Sequence, residues 1–424
     1  MGGWYECGQV SIYTKRAKHM RILYVLQQSI YNKKNGVNKW MSADSNINMF
    51  VGLAKELLAK TTWKIDVLIS PLSDFGDLMS YNELIVDSRV RFIPIRGPID
   101  PFLSRQHFDA NVWSILLEND YDAIINCMPE ISRNIRTIIE TQLKNKPKLI
   151  TQCFWMDCPE IDEPKVPTTF SYDYRQFDGY ECSDLCAFTC FSTRTAFFNN
   201  ASLKFSVKNS ERIWDKSTIW DLGYSESECK NYWYPHLDYA TKKRILFLNR
   251  LSEINYTHHE EFIEAIKEIS KNRDDFEVVF TNPSRKIDIS SLDIPNVITP
   301  YLDKPLTRED YWRLLHSAYM SVHLFTSERY GGCALRESIA ADNIPLVADC
   351  FEQALLVDNP ELKVRVIGKH EICIPHLIDR LNFVLDGNVS VATLEGIRKA
   401  NYKQCSFESV SSKVIDDIQA VVNK

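Results

Sequence analysis

Short apolar runs, each followed by a longer stretch with helical spacing, recur along this 424-residue chain and leave few folds open to it. The first run, Arg21-Ile-Leu-Tyr-Val-Leu26, shows no polar alternation and so suits a strand buried on both faces of a parallel sheet. From Asp44 onward Ile47, Phe50, Val51, Ala54, Leu57 and Leu58 share one helical face, and Ile65-Asp-Val-Leu-Ile69 reads as the next strand. That order is a βαβ unit. Runs at 90–95, 123–127 and 149–154 continue the series, and a second series occupies 244–248, 276–280, 297–298, 320–324 and 346–347. No sequence repeat relates the two.

The length exceeds one typical core and suits two domains of roughly 150 to 230 residues. The expected division is an N-terminal extension at 1–19, a first α/β domain at 20–235, a second at 236–404 and a terminal helix at 405–424. Tyr232-Trp-Tyr-Pro-His236 is the natural link. In the last segment Ser406 or Ser409 can cap a helix whose Val410, Val414, Ile415, Ile418 and Val421 recur at helical spacing.

The stretch Ser327 to Val347, SERYGGCALRESIAADNIPLV, joins an acidic turn, a Gly-Gly pair and a short amphipathic helix ahead of a strand. Gly331-Gly332 lets the backbone approach a ligand without an intervening Cβ, and the helix that follows directs free N–H groups and partial positive charge at it. A diphosphate suits that position. Asp342 stands just past the helix, where a left-handed residue is needed and Asp tolerates that conformation.

With its flanks, this segment resembles the signature of GT-B glycosyltransferases of the retaining family 4. The matching parts are Glu328, Gly331-Gly332, Glu337 and Pro345-Leu346-Val347. The resemblance implies a GT-B α/β architecture: two Rossmann-like domains facing a cleft, the first binding acceptor, the second donor, with a C-terminal helix crossing back. It makes Glu337 the ligand of the donor ribose. It gives the diphosphate to the turn around Arg329, Tyr330, Gly331, Gly332, Cys333 and Ala334, and it sets Glu328 near the sugar. Glu328 and Glu337 stand one residue further apart than the family's two carboxylates, and Arg329 occupies the literal position of the first.

Asn249 and Arg250 directly follow the first strand of the second series, at the sheet edge where α/β proteins hold ligands, and Arg250 suits a diphosphate. Family members add a Lys before the next helix. Here Asn255-Tyr-Thr-His-His259 has none, so Thr257, His258 or His259 substitutes, or the second cation comes from elsewhere. In the first half Asp157 stands where the family carries a His-Asp near the sugar. Trp155 with Asp157, and Arg175 with Asp178 and Asp184, are candidates for contacting acceptor or sugar, because aromatic faces suit C–H groups and carboxylates accept from hydroxyls. Gly36, followed by Asn38 and Lys39, resembles the glycine loop over the donor.

Retaining transfer of this kind requires no protein nucleophile and no catalytic metal, because the leaving diphosphate takes the acceptor proton while the protein positions charge. The implied donor is a UDP- or GDP-sugar and the activity hexosyl or pentosyl transfer. The expected acceptor is hydroxymethylated pyrimidine in phage-type DNA, with surface polysaccharide or lipopolysaccharide as the close alternative. A sugar-nucleotide epimerase on the same architecture and a non-catalytic nucleotide-sugar-binding module are the rival readings.

Composition narrows this further. No apolar run approaches the roughly 20 residues that span a bilayer, and no signal-peptide core opens the chain, so a cytoplasmic location, host cytoplasm for a viral protein, is expected. A net charge of −6 disfavours non-specific nucleic-acid coating but leaves room for a local basic groove, for which Lys33–Lys39 and the segment with Arg133 and Arg136 are candidates. The 12 cysteines, scattered in apolar stretches, suit reduced packing residues. Cys182, Cys186 and Cys190 would share a face if their segment is helical.

Overall fold

The computed structural model describes residues 19–26, 45–69, 79–94, 110–153, 173–233, 242–248, 251, 257–281, 296–298, 306–326, 332–368 and 370–424. The chain divides into two compact units. One is formed by residues up to Asp221 together with Val410–Lys424, the other by Leu222–Ser409. The change of unit falls ahead of the Tyr232–His236 link because Tyr224 and Cys229 already pack in the second core.

The first unit holds a seven-stranded sheet of β1 (Arg21–Val25), β2 (Lys64–Ile69), β3 (Val90–Pro94), β4 (Ala123–Asn126), β5 (Lys148–Cys153), β6 (Leu185–Phe188) and β7 (Ser217–Ile219). Its order is β3-β2-β1-β4-β5-β6-β7, with all neighbours parallel. Strand order reverses between β1 and β4, the doubly wound pattern. Covered on both faces, Ile22 to Val25 and all of β4 are buried, which is why these runs read as continuous apolar stretches. The helix Ser45–Lys60 buries the expected Phe50, Val51, Ala54, Leu57 and Leu58.

The helix Phe407–Val422 starts with Ser406 Oγ accepting from the Ser409 N–H, one of the two caps expected. Its residues from Val410 onward belong to the first unit. There Lys60 Nζ donates to Ser411 Oγ at 2.8 Å, and Asp417 accepts from Thr218 Oγ1 at 2.8 Å and from Nε1 of the buried Trp220 at 2.9 Å.

The second unit holds a six-stranded parallel sheet of β8 (Lys243–Phe247), β9 (Phe276–Phe280), β10 (Val297–Ile298), β11 (Met320–His323), β12 (Ile344–Ala348) and β13 (Lys363–Val364). Its order is β10-β9-β8-β11-β12-β13, so its own reversal lies between β8 and β11. A small antiparallel hairpin, β14 (Val366–Ile367) and β15 (Glu371–Ile372), follows. Pro345, which lacks an N–H, is tolerated in β12 because β13 pairs only with Val347 and Ala348 and leaves the start of the strand unpaired on that side. No helix among the described residues is long and apolar enough to cross a membrane.

Candidate functional site

Ligands of doubly wound sheets lie beyond the carboxyl ends of the strands at the reversal point. In the second unit that point is the β8/β11 edge, from which the chain runs to Thr326 and, across residues outside the description, to the helix Gly332–Ala340. Gly332 opens this helix at φ +68°, a conformation that an L side chain adopts only with strain, and among the described residues nothing lies within 4 Å of where its Cβ would stand. Its glycine therefore serves the turn rather than close packing. No carboxylate occupies the first helical turn, so the partial positive charge there is not offset from within the turn. Arg336, almost fully buried, ties the helix in place through Gly332 O at 3.0 Å and Cys405 Sγ at 3.3 Å. At the other end Asp342 takes φ +66°, the left-handed cap expected of it.

Glu337 points away from bulk solvent, with 7% of its side chain exposed. Its Oε1 accepts from Arg308 Nη2 at 2.5 Å and its Oε2 from the Tyr311 hydroxyl at 3.0 Å. Arg308 and Tyr311 lie on the helix Arg308–His316, which Thr307 caps through the Asp310 N–H. The same guanidinium reaches Glu228 Oε2 with Nε at 2.9 Å, and that oxygen also accepts from Trp312 Nε1 at 2.9 Å. Burial works against the Arg308 charge, but Glu337 and Glu228 outweigh it and hold the guanidinium above its ordinary pKa. Burial, with the Glu337 charge beside it, holds the Tyr311 phenol well above its usual value, so it stays protonated and donates. Sequence reading passed over Arg308, Tyr311 and Glu228. The one local signal was the Thr307 cap ahead of Arg308-Glu-Asp, which reads equally well as a solvated helix start.

Of the two adjacent histidines, His258 has both ring nitrogens within hydrogen-bond distance of protein groups. His258 sits at φ +54° before the helix His259–Ile269. Its Nδ1 lies 2.9 Å from Glu261 Oε1 and its Nε2 2.6 Å from Thr326 Oγ1. Thr326 in turn donates to His370 O at 3.1 Å, and His370 Nδ1 lies 3.2 Å from Thr326 O. Both ring nitrogens of His258 thus have partners inside the protein, bridging the segments that follow β8 and β11. Burial pushes the His259 imidazole below its ordinary pKa, with Glu260 and Glu261 pulling the other way. Thr257 is fully buried, and Cys333 and Ala334 are half-buried in the first turn of the Gly332 helix.

In the first unit, Arg175 is exposed on the helix Asp173–Glu181, whereas Asp178 accepts from Arg133, with Nε at 3.0 Å from both carboxylate oxygens and Nη2 at 2.6 Å from Oδ1. Asp184 binds Arg136 Nη2 at 2.5 Å and the Leu149 N–H at 2.7 Å. These pairs fasten that helix and the turn after it to the helix Ser132–Thr141, so the two arginines of the candidate basic groove face carboxylates. Cys182, Cys186 and Cys190 share no helix face: they lie in a turn, in β6 and at a helix N-cap, where Cys190 Sγ accepts from the Thr193 N–H. Gly36, Trp155, Asp157, Asn249, Arg250, Glu328, Arg329, Tyr330 and Gly331 lie outside the described residues.

No protein-family model and no curated protein sequence matches the chain. Solved structures do. The chain is similar to the apo form of the lipopolysaccharide outer core galactosyltransferase WaaB, with a TM-score of 0.60 at 12% identity, covering 95% of this chain and 99% of that one. It is similar to Anabaena HepE in complex with UDP-glucose, with a TM-score of 0.61 at 12% identity over 95% and 100% of the two chains. Sucrose-phosphate synthase from Thermosynechococcus elongatus gives 0.63 at 12% identity over 93% and 97%. These likenesses establish a GT-B fold, two parallel-sheet α/β domains, along nearly the whole chain.

Proposed function

We propose that this chain is a glycosyltransferase that moves a sugar from a nucleotide-sugar donor to an acceptor hydroxyl, with retention at the anomeric carbon. The observation that carries the reading is the buried Glu337 carboxylate on a helix whose first turn carries no acidic side chain. A carboxylate suits ribose hydroxyls and an uncompensated helix start suits a diphosphate, so one short segment serves both parts of a nucleoside diphosphate. UDP is the favoured nucleotide, since HepE of the same fold binds UDP-glucose. Arg250 and Asn249 are proposed at the diphosphate, Glu328 and Asp157 at the transferred sugar, and Trp155 and Arg175 at the acceptor. His258 braces the strand edge rather than donating to phosphate, because Glu261 and Thr326 occupy its nitrogens.

In the proposed step the acceptor oxygen bonds to the anomeric carbon as the bond to the diphosphate breaks, and the acceptor proton passes to a diphosphate oxygen. The protein supplies orientation and charge stabilisation. For the acceptor we favour a glycan hydroxyl over modified DNA. Arg133 and Arg136 already face Asp178 and Asp184, and the net charge is −6.

A mass-spectrometric assay offering UDP- and GDP-sugars against a glycan set, plain DNA and hydroxymethylcytosine DNA tests this. A mass gain of one sugar on a glycan is expected. A gain confined to the modified DNA overturns the acceptor assignment and leaves the donor reading standing. Epimerised nucleotide sugar formed without acceptor, or binding with neither transfer nor donor hydrolysis, overturns the reaction.

A further inference from the structure

The surroundings of Glu337 leave a specific amount of bonding capacity open. An ionised carboxylate offers about four acceptor positions, two on each oxygen. Arg308 occupies one on Oε1 and the Tyr311 hydroxyl one on Oε2, and among the described residues Glu337 has no other side-chain partner. One position on each oxygen is left, the number that the two adjacent hydroxyls of a ribose require. The two partners approach different oxygens, so together they fix the plane of the carboxylate as well as its position. Arg308 is itself held by Glu228 and lies over the Tyr311 and Trp312 rings, with its guanidinium carbon 5.5 and 5.2 Å from their centroids. A planar fork reaches both carboxylates at once, which a lysine ammonium does not reproduce.

We propose that Arg308 and Tyr311 are positioning residues that orient the Glu337 carboxylate for the ribose 2′- and 3′-hydroxyls, and so set the preference of the site for ribonucleotides over deoxynucleotides. The inference rests on the reading of Glu337 as the ribose ligand. Its consequence is selectivity: with either partner removed the carboxylate turns, and the acceptor positions left for the ribose no longer match a diol.

The test measures affinity for UDP, 2′-deoxy-UDP and 3′-deoxy-UDP by calorimetry on the full chain, comparing wild type with Tyr311→Phe, Arg308→Lys and Glu337→Gln, each with its melting temperature. Wild type is expected to prefer UDP over each deoxy form by roughly tenfold or more, the scale of one hydrogen bond to a charged group, and both positioning variants by about threefold or less. Tyr311→Phe removes one oxygen and carries the test alone if Arg308→Lys does not fold. A melting temperature near that of wild type, with the preference lost, separates orientation from general destabilisation. If Glu337→Gln abolishes the preference while Tyr311→Phe and Arg308→Lys keep it, the positioning role is wrong and the ribose assignment survives. If wild type binds none of the three, or shows no preference, or keeps it in Glu337→Gln, the ribose assignment itself fails and the inference with it.

Discussion

His323 allows a pH prediction whose size follows from the structure. It ends β11 fully buried, with Nε2 at 3.1 Å from Ser321 Oγ and 3.3 Å from Ser338 Oγ. Ser321 donates its hydroxyl hydrogen to Ser338, and Ser338 donates to Leu335 O, each at 2.9 Å, so neither can donate to the imidazole. Nε2 is therefore the N–H of a neutral ring. Nδ1 is buried with no hydrogen-bond partner among the described residues, and a second proton there would find no acceptor among them. Burial accordingly pushes the pKa from 6.5 down to about 3.

Between those values the unfolded chain binds a proton that the folded chain refuses, so stability is complete above about pH 6.5 and declines as pH falls towards 3. The full shift corresponds to about 5 kcal/mol, comparable to the whole stability of many domains, and about 2 kcal/mol of it is lost by pH 5. Urea unfolding of wild type and His323→Gln at pH 7.5 and pH 5 isolates this group, since every other titrating side chain is common to both. The glutamine variant, which can still donate to the serines, should lose roughly 2 kcal/mol less on acidification. Equal losses in the two proteins would refute the argument. Because Ser338 neighbours Glu337 on one helix, the same acidification should loosen the proposed donor helix first.

Three further substitutions test the packing of the two units. Gly179→Ala places a Cβ 2.0 Å from the main-chain oxygen of Pro129 and should cost about 1–3 kcal/mol or more, seen as a lowered melting temperature, whereas Gly396→Ala, with nothing within 4 Å among the described residues, should stabilise by roughly 0.5–1 kcal/mol. Asp417→Ala removes the acceptor of the buried Trp220 N–H and should cost about 1–3 kcal/mol, measurable as a lower melting temperature and faster proteolysis of the C-terminal helix.

Strands were legible where both faces are covered and the run is long enough to stand out. β1, β9 and β11 lie where the apolar runs predict them, within a residue at either end. The stretches now seen as β6, β7 and β13 were not recognised. Leu185–Phe188 is four residues long and sits amid cysteines spaced as on a helix, and Ser217–Ile219 and Lys363–Val364 are shorter still. Glu337 could be found because the Gly-Gly turn, helix and strand around it are contiguous. Its partners could not, because Arg308 lies 29 residues before it and Glu228 another 80 before Arg308, separations bridged only by tertiary packing. The histidine pair was legible as an oddity at a helix start, but its engagement with Thr326, 68 residues on, follows from strand order alone.

The edge of the second sheet separates two kinds of polar group, and the separation argues for where a nucleotide would lie. At the β8/β11 reversal, His258 bonds to Glu261 and Thr326, and Thr326 to His370, so these polar groups are engaged with one another. On the neighbouring helix the first turn lacks a carboxylate, and Glu337 follows five residues after Gly332, roughly 7.5 Å further along the axis. A phosphate at the helix start would therefore keep its distance from the carboxylate, while the ribose, joined to it through O5′ and C5′, would reach further along the same helix. Arg308 balances the Glu337 charge from within the protein, which would lower the remaining repulsion on a nearby phosphate. This arrangement depends on one backbone turn and a few side chains, which is compatible with a fold shared at 12% identity.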